Sequence, residues 1–417
     1  MGVAGRSREF DRIARGSSPM TLSPDELRSR DFSRILLIKL SAVGDVVHTI
    51  PVLNKLRRRY PNAQLDWLVT PGIAELLQHH PAISSVIPFT RQVSASPFGV
   101  SNVIALADYA RLAAKLRGAR YDLVVDMHGQ IRTALMALAT GAPARVGFDR
   151  PRAEVWQASA RSFPEQTRKH AWQGAREGSW LAYTHTIPVP TLEMHAVDRY
   201  LNVGPLLGLD DGPADFSFPI PQEANGRIEA LLDYYEIAKA KIVVMAPGTI
   251  WETKQWRREA FAEVARHFLQ KGFAVTLIGS ERERAVCDEV AALAPGVINL
   301  SGETMLSELA ALIRRATICV TNDSGPMHLA VALGRPVVSI FGPTDPIWIG
   351  PYRRDGAVLQ TKNLPCVPCY LRQLSRCIHD HACMQGISAG AVIERMEAML
   401  KQKSDEKVPA GVQARRA

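Results

Sequence analysis

Short β-branched runs alternate with helical segments along most of this chain, and the cycle runs through twice. This pattern confines the fold to layered α/β architectures built on doubly wound parallel sheets. The first pass opens with the strand Ile35-Leu-Leu-Ile-Lys39, a polar loop, and a helix through Ile50 to Arg59 that stops at Tyr60-Pro-Asn. Further strands are expected over 65–69, 85–87 and 121–126, with helices near 72–78 and 105–116. The second pass restarts at Lys241-Ile-Val-Val-Met245, followed by helices over 258–270, 281–293 and 306–314 and strands over 274–278, 317–320 and 336–341. Two α/β units of similar size leave a cleft between them, and open sheets of this kind bind ligands at the carboxyl ends of their strands.

At 417 residues the chain exceeds what one hydrophobic core holds, so two domains are expected. They are read as 34–220 and 221–400, between a flexible extension over 1–33 and a flexible tail over 401–417. The linker is placed at Phe216-Ser-Phe-Pro-Ile-Pro-Gln-Glu-Ala-Asn225, where prolines interrupt any regular element. The stretch 151–190 has no clear period. No run of about 18 apolar residues occurs, and the first thirty residues carry Arg6, Arg8, Arg12 and Arg15 without an export-signal core. A cytoplasmic chain that does not span the membrane is therefore expected. The net charge of +9 calls for an anionic partner: a nucleotide, a phosphorylated lipid head group, nucleic acid or the inner membrane surface. The basic run Lys55-Leu-Arg-Arg-Arg59 lacks the interleaved aromatics of a nucleic-acid site, so it is read as facing solvent or anionic lipid.

Three strand-to-helix loops carry the chemistry. In Lys39-Leu-Ser-Ala-Val-Gly-Asp-Val-Val-His48, Gly44 lets the backbone approach a ligand and Asp45 sits at a helix start; capping and catalysis are both open to it. The loop fits neither a G-x-G-x-x-G fingerprint nor a phosphate loop ending in G-K-[ST]. In Ala246-Pro-Gly-Thr-Ile-Trp-Glu-Thr-Lys-Gln-Trp256, Gly248 and Thr249 suit a phosphate-approaching turn and Lys254 supplies a point charge. In Thr321-Asn-Asp-Ser-Gly-Pro-Met-His328, Ser324-Gly325 opens a helix whose positive end is a ready phosphate site.

In this order the three loops, with Ala-Leu-Gly-Arg-Pro and Phe341-Gly-Pro-Thr-Asp345-Pro behind the third, resemble the heptosyltransferase family, which moves heptose from an ADP-sugar onto the inner core of lipopolysaccharide. The similarity spans about 34–399. It implies a GT-B architecture, two facing Rossmann-like domains with the acceptor on the first and the ADP-heptose donor on the second. On this resemblance Asp45 falls on the catalytic base of a single inverting displacement. Gly44, Gly248, Thr249, Lys254, Glu281, Asp323, Ser324, Gly325 and His328 fall on the donor side, and His48, Arg132, His195 and Arg199 on the acceptor side. Met194-His195-Ala-Val-Asp-Arg199 looks like the member acting on the Kdo residues of lipid A at the cytoplasmic face of the inner membrane. The loop after the third strand departs from that member, with Arg91 alone where it has a basic cluster. No cofactor is implied, and no D-x-D triplet occurs to hold a divalent ion on a diphosphate.

Cys366, Cys369, Cys377 and Cys383 are spaced so that four thiolates could hold zinc or an iron–sulfur cluster, with His379 and His381 among them. Reduced thiols packing a loop is the preferred reading. Cys287 and Cys319 fit apolar core patterns. Two rival functions keep the same fold: transfer of a different sugar or to another envelope glycan, and a sugar-nucleotide sensor without turnover.

Overall fold

The computed structural model describes residues 22–89, 100–152 and 174–405 except 192, and within 153–173 only 154, 155, 164, 165, 167 and 172. Two six-stranded, all-parallel sheets form its frame. The first runs β3 (Ser85–Pro88), β2 (Gln64–Val69), β1 (Arg34–Ile38), β4 (Leu123–Asp126), β5 (Ala144–Phe148), β6 (His185–Ile187). The second runs β12 (Val358–Gln360), β11 (Val337–Phe341), β10 (Ile318–Asn322), β7 (Ile242–Ala246), β8 (Ala274–Leu277), β9 (Ile298–Asn299). Both have the Rossmann order, with the first strand of each half central and the order of strand addition reversing beside it. The central strands are mostly apolar because helices cover both faces; β7, β10 and β11 are buried at every residue, and β1 at all but Arg34.

In the first half β1 leads into α2 (Val43–Arg59), β2 into α3 (Pro71–Leu77), β3 toward α4 (Val100–Gly118), and β4 into α5 (Ile131–Thr140). The pattern calls α2, α3 and α4 and misses α5, whose Ile-Arg-Thr-Ala-Leu-Met-Ala-Leu-Ala-Thr reads as apolar on all sides. The short strands β5, β6, β9 and β12 also escape it, since two to five residues carry no usable period.

Several expectations are corrected. The final part of the N-terminal extension is structured: α1 (Pro24–Ser29) starts in a capping box, Ser23 with Glu26, and buries Leu27, while Phe32 enters the same core. Six residues are too few for the periodicity to show. At the other end, the helix Ala389–Asp405 continues past residue 401. The helix Gln222–Tyr234 takes up the last four residues of the supposed linker, starting after Pro221. The preceding stretch packs Phe216, Phe218 and Ile220 against a core shared by both halves, which includes Val47 and Leu76 from the first. Arg91 and the first twenty-one residues lie outside the described part.

The basic run of α2 faces solvent only in part: Arg58 is exposed, and all four cations find partners within the protein. Lys55 is buried and donates to the Asp210 and Gly212 carbonyls, each at 2.7 Å, and to the Asp210 carboxylate at 2.8 Å. Arg57 donates to the carbonyls of Ala82, Pro61 and Ala63. Arg58 pairs with Asp210 and Asp215, and Arg59 with Asp31. Lys55 and Arg58 tie the chain that crosses between the halves onto α2, while Arg57 and Arg59 brace the first half itself. Charge density in sequence says nothing of partners brought in from 150 residues away.

Candidate active site

The carboxyl ends of β1 and β4 face those of β7 and β10, and the loops that leave them line one cleft of about 360 Å³. Asp45 is the third residue of α2. Its Oδ2 accepts the Ala42 amide at 3.2 Å, closing the helix start, so the capping reading holds. Its other oxygen, Oδ1, accepts the Tyr200 hydroxyl at 2.8 Å and lies 3.6 Å from Lys39 Nζ. The side chain nevertheless stays 42% exposed to the cleft. Enclosure pushes the carboxyl pKa up, but the Lys39 ammonium, the Tyr200 hydroxyl and the Ala42 amide outweigh it and hold it below the usual carboxylate range. Capping and presentation to the cleft are thus two uses of one carboxylate.

Lys39, the residue after β1, is buried and donates to the Met127 carbonyl at 3.0 Å and to the Tyr200 oxygen at 2.7 Å. Neighbouring Asp126, at the end of β4, is fully buried and accepts the amides of His128 and Gly129 and the Tyr183 hydroxyl. It therefore shapes the loop that brings His128 and Gln130 to the cleft wall.

From the second half, Lys254 Nζ lies 2.6 Å from Asp323 Oδ2 and 4.3 Å from the centre of the Trp251 ring. Asp323 is buried and also accepts the Thr344 hydroxyl at 2.6 Å. Next to it, Ser324 precedes the helix Gly325–Ala332 with its hydroxyl turned back to the Asn322 carbonyl. Among the described residues no side chain caps the helix, and Ser324 and Gly325 both line the cleft. Asn322 fixes the lysine loop to the end of β10, donating to the Pro247 carbonyl at 2.7 Å and accepting the Trp256 amide at 3.1 Å.

The two loop glycines lock the halves together. A Cβ on Gly44 would stand 2.2 Å from His328 Cδ2, and one on Gly325 would stand 3.1 Å from the Val43 side chain. What approaches the Gly44 backbone is His328 of the other half. His328 Nδ1 in turn lies 2.9 Å from His48 Nε2. Burial drives both rings toward the neutral form, His328 down to about 4 and His48 well below its ordinary value.

Of the residues singled out in sequence, Asp45, Gly44, His48, Arg199, Lys254, Asp323, Ser324, Gly325 and His328 meet in this cleft. Gly248, Thr249 and Glu281 do not line it: Gly248 is pressed on Glu283, Thr249 is buried, and Glu281 is exposed and paired with Arg284. Arg132 sits one layer back, donating to His128 Nε2 at 2.8 Å. His195 caps its own helix through Nδ1 and meets the Gly350 carbonyl across the halves at 2.9 Å. Arg199 is buried against the Trp172 ring, and among the described residues neither its Nε nor its Nη1 finds a hydrogen-bond acceptor. Lys39, His128, Arg176, Tyr200, Tyr370 and Arg372 also line the cleft and were not singled out. Of these, Lys39 opens the first loop motif and Tyr200 directly follows Arg199, so both lay beside residues already singled out. The lining holds five cationic side chains, Lys39, Arg176, Arg199, Lys254 and Arg372, against the carboxylates of Asp45 and Asp323, a balance that suits a multiply charged anion.

All six cysteines are free. Among the described residues no group of three or more His, Cys, Asp or Glu is arranged to hold a metal ion. Burial raises the thiols of Cys366, Cys369 and Cys383, the last to about 12, and His381 is engaged with the Thr253 carbonyl.

Residues 109–171 and 162–376 match the model of glycosyltransferase family 9 (heptosyltransferase). Lipopolysaccharide heptosyltransferase 1 of Pseudomonas aeruginosa is 30% identical over 348 residues, covering 81% of this chain and 86% of that protein. Two solved structures share the fold. A glycosyl transferase family 9 protein of Veillonella parvula superposes with a TM-score of 0.70 at 22% identity, over 89% of this chain and 98% of that one. The E. coli heptosyltransferase WaaC with ADP-2-deoxy-2-fluoro heptose gives 0.62 at 24% identity, over 88% and 99%.

Proposed function

The chain belongs to glycosyltransferase family 9, the heptosyltransferases, and is a glycosyltransferase; from that premise we propose that it moves heptose from ADP-heptose onto the Kdo or inner-core region of lipopolysaccharide. The transfer inverts the anomeric centre, with Asp45 as general base. The observation that carries this reading is the pairing of an exposed, ionised carboxylate, Asp45, with a cationic wall and an uncapped helix start across a single cleft. Asp323 cannot serve as the base, because it is 3% exposed and already holds Lys254 and Thr344.

The acceptor hydroxyl attacks the anomeric carbon as its proton passes to Asp45, and the bond from that carbon to the phosphate oxygen breaks, its electron pair leaving with ADP. A base contributes about 10²–10⁴-fold when held within hydrogen-bond reach of the hydroxyl. Lys254 and the amides at Ser324 and Gly325 offset the charge that grows on the leaving diphosphate. Asp323 keeps Lys254 aimed before the donor arrives. The Nε and Nη1 nitrogens of Arg199, without an acceptor among the described residues, suit a carboxylate on the acceptor, and buried donors of this kind cost about 1–3 kcal/mol while unsatisfied. The scheme asks for no metal or cofactor. The acceptor is reached from the cytoplasmic face of the inner membrane, by peripheral contact.

An ADP-release assay with ADP-heptose, UDP-sugars and GDP-sugars on a Kdo-bearing lipid A acceptor tests the proposal. ADP-heptose alone should support turnover. Asp45→Asn should lower kcat by at least about 10²-fold while leaving donor affinity within a few-fold. Turnover with another donor only would sink the heptose assignment, and an active Asp45→Asn would sink the base.

A further inference from the structure

The first half carries a surface that the cleft chemistry does not use. In α5, Thr133, Ala134, Met136, Ala137 and Thr140 are buried. Ile131, Leu135 and Leu138 are 42%, 50% and 45% exposed, and their spacing puts them on one outward stripe. The 3₁₀ turn Ser179–Ala182 adjoins the start of α5, Ser179 donating to the Gly129 carbonyl at 3.1 Å, and it adds Leu181, 83% exposed. Four of the eleven exposed large apolar side chains among the described residues thus fall on two adjoining elements. Single exposed leucines need no explanation, but a cluster marks a contact.

Charge and position say which contact. The Arg117 guanidinium lies against Gly141 at the carboxyl end of α5, with exposed Lys115 beside it on α4. At the other end stand Arg132 and Arg176, with Glu177 accepting the Ile131 amide as the acidic group there. That end runs straight into Gln130, which lines the cleft with Asp45. Aliphatic side chains with exposed cations at one edge fit an anionic bilayer, where the chains enter the headgroup boundary and Lys115 and Arg117 meet the phosphates.

We propose that the face made by Ile131, Leu135, Leu138 and Leu181, with Arg117 and Lys115 at its edge, seats on an anionic lipid surface and presents the cleft to the acceptor there. The proposal rests on the reading that the acceptor is lipid-anchored. No helix among the described residues is long and apolar enough to cross a membrane, so this face supplies shallow, reversible contact.

The test uses the full chain and the triple variant Leu135→Ser, Leu138→Ser, Leu181→Ser, sedimented with phosphatidylglycerol/phosphatidylethanolamine vesicles or with phosphatidylcholine vesicles. The wild type should partition onto the anionic vesicles, less so in high salt, and the variant should lose about 10- to 100-fold of that partition. Turnover on a deacylated, water-soluble acceptor should stay at the wild-type value in the variant, while turnover on vesicle-embedded acceptor falls with the partition. A wild type that ignores anionic vesicles, or a variant that binds them as well, overturns the proposal. So does a concentration-dependent dimer that the variant abolishes, since the face would then belong to a second copy. Loss of all ADP-heptose turnover on both acceptors would instead refute the functional reading, leaving the partition to decide the docking face.

Discussion

Replacing Tyr200 by Phe isolates the contribution of one hydroxyl to the state of Asp45. The ring stays, and with it the packing of Lys39 Nζ 4.6 Å from its centre; what goes is the donor 2.8 Å from Asp45 Oδ1 and the acceptor 2.7 Å from Lys39. A hydrogen bond to a charged group contributes about 1.5–3 kcal/mol. Asp45 is 42% exposed, so water recovers part of this, and a value just under that range, about 1.4 kcal/mol or a factor of ten in protonation equilibrium, is the appropriate expectation. The lost donor favoured the carboxylate, so the carboxyl becomes easier to protonate in the variant. If the carboxylate is the working form, the acid limb of kcat/KM against pH moves to higher pH, and the variant is about tenfold slower than wild type on that limb. On the plateau above it both enzymes carry ionised Asp45, and the rates should lie within a few-fold. A purely structural defect would lower kcat/KM evenly at all pH values. An unmoved acid limb would refute the claim that Tyr200 acts through Asp45.

Two further outcomes follow from the seam between the halves. Gly44→Ala puts a methyl group into the His328 ring that His48 holds, so overpacking should cost about 1–3 kcal/mol in denaturant unfolding; wild-type stability would mean that this seam yields easily. The buried rings of His128, His195 and His328 are pushed down to about 3, about 4 and about 4, chiefly by burial, whereas in the unfolded chain each titrates near its ordinary value. Below pH ~6.5 the unfolded state therefore binds protons that the folded state refuses. Stability is full above that point and falls as the pH drops toward 4, by about 1 kcal/mol per ring at pH 5.5. Urea midpoints that stay flat between pH 7 and 4.5 would contradict the neutral, buried histidines.

Periodicity and turn chemistry determine much of this protein by themselves. The β-branched runs at Ile35–Ile38 and Ile242–Ala246 can be satisfied only inside a parallel sheet, and each is followed by a polar loop leading toward a helix, so two facing α/β halves with loops at the strand ends are legible from local residues. Asp45, Lys254 and Ser324-Gly325 are legible for the same reason: they sit where a strand ends and the loop toward the next helix begins. What tertiary structure alone decided are pairings across long separations. Tyr200 reaches Asp45 from 155 positions away, His328 meets His48 from 280, and the arginines of α2 spend their charge on Asp210, Asp215 and Asp31. Burial, ionisation and exposure depend on who stands opposite, and a linear sequence does not record who stands opposite.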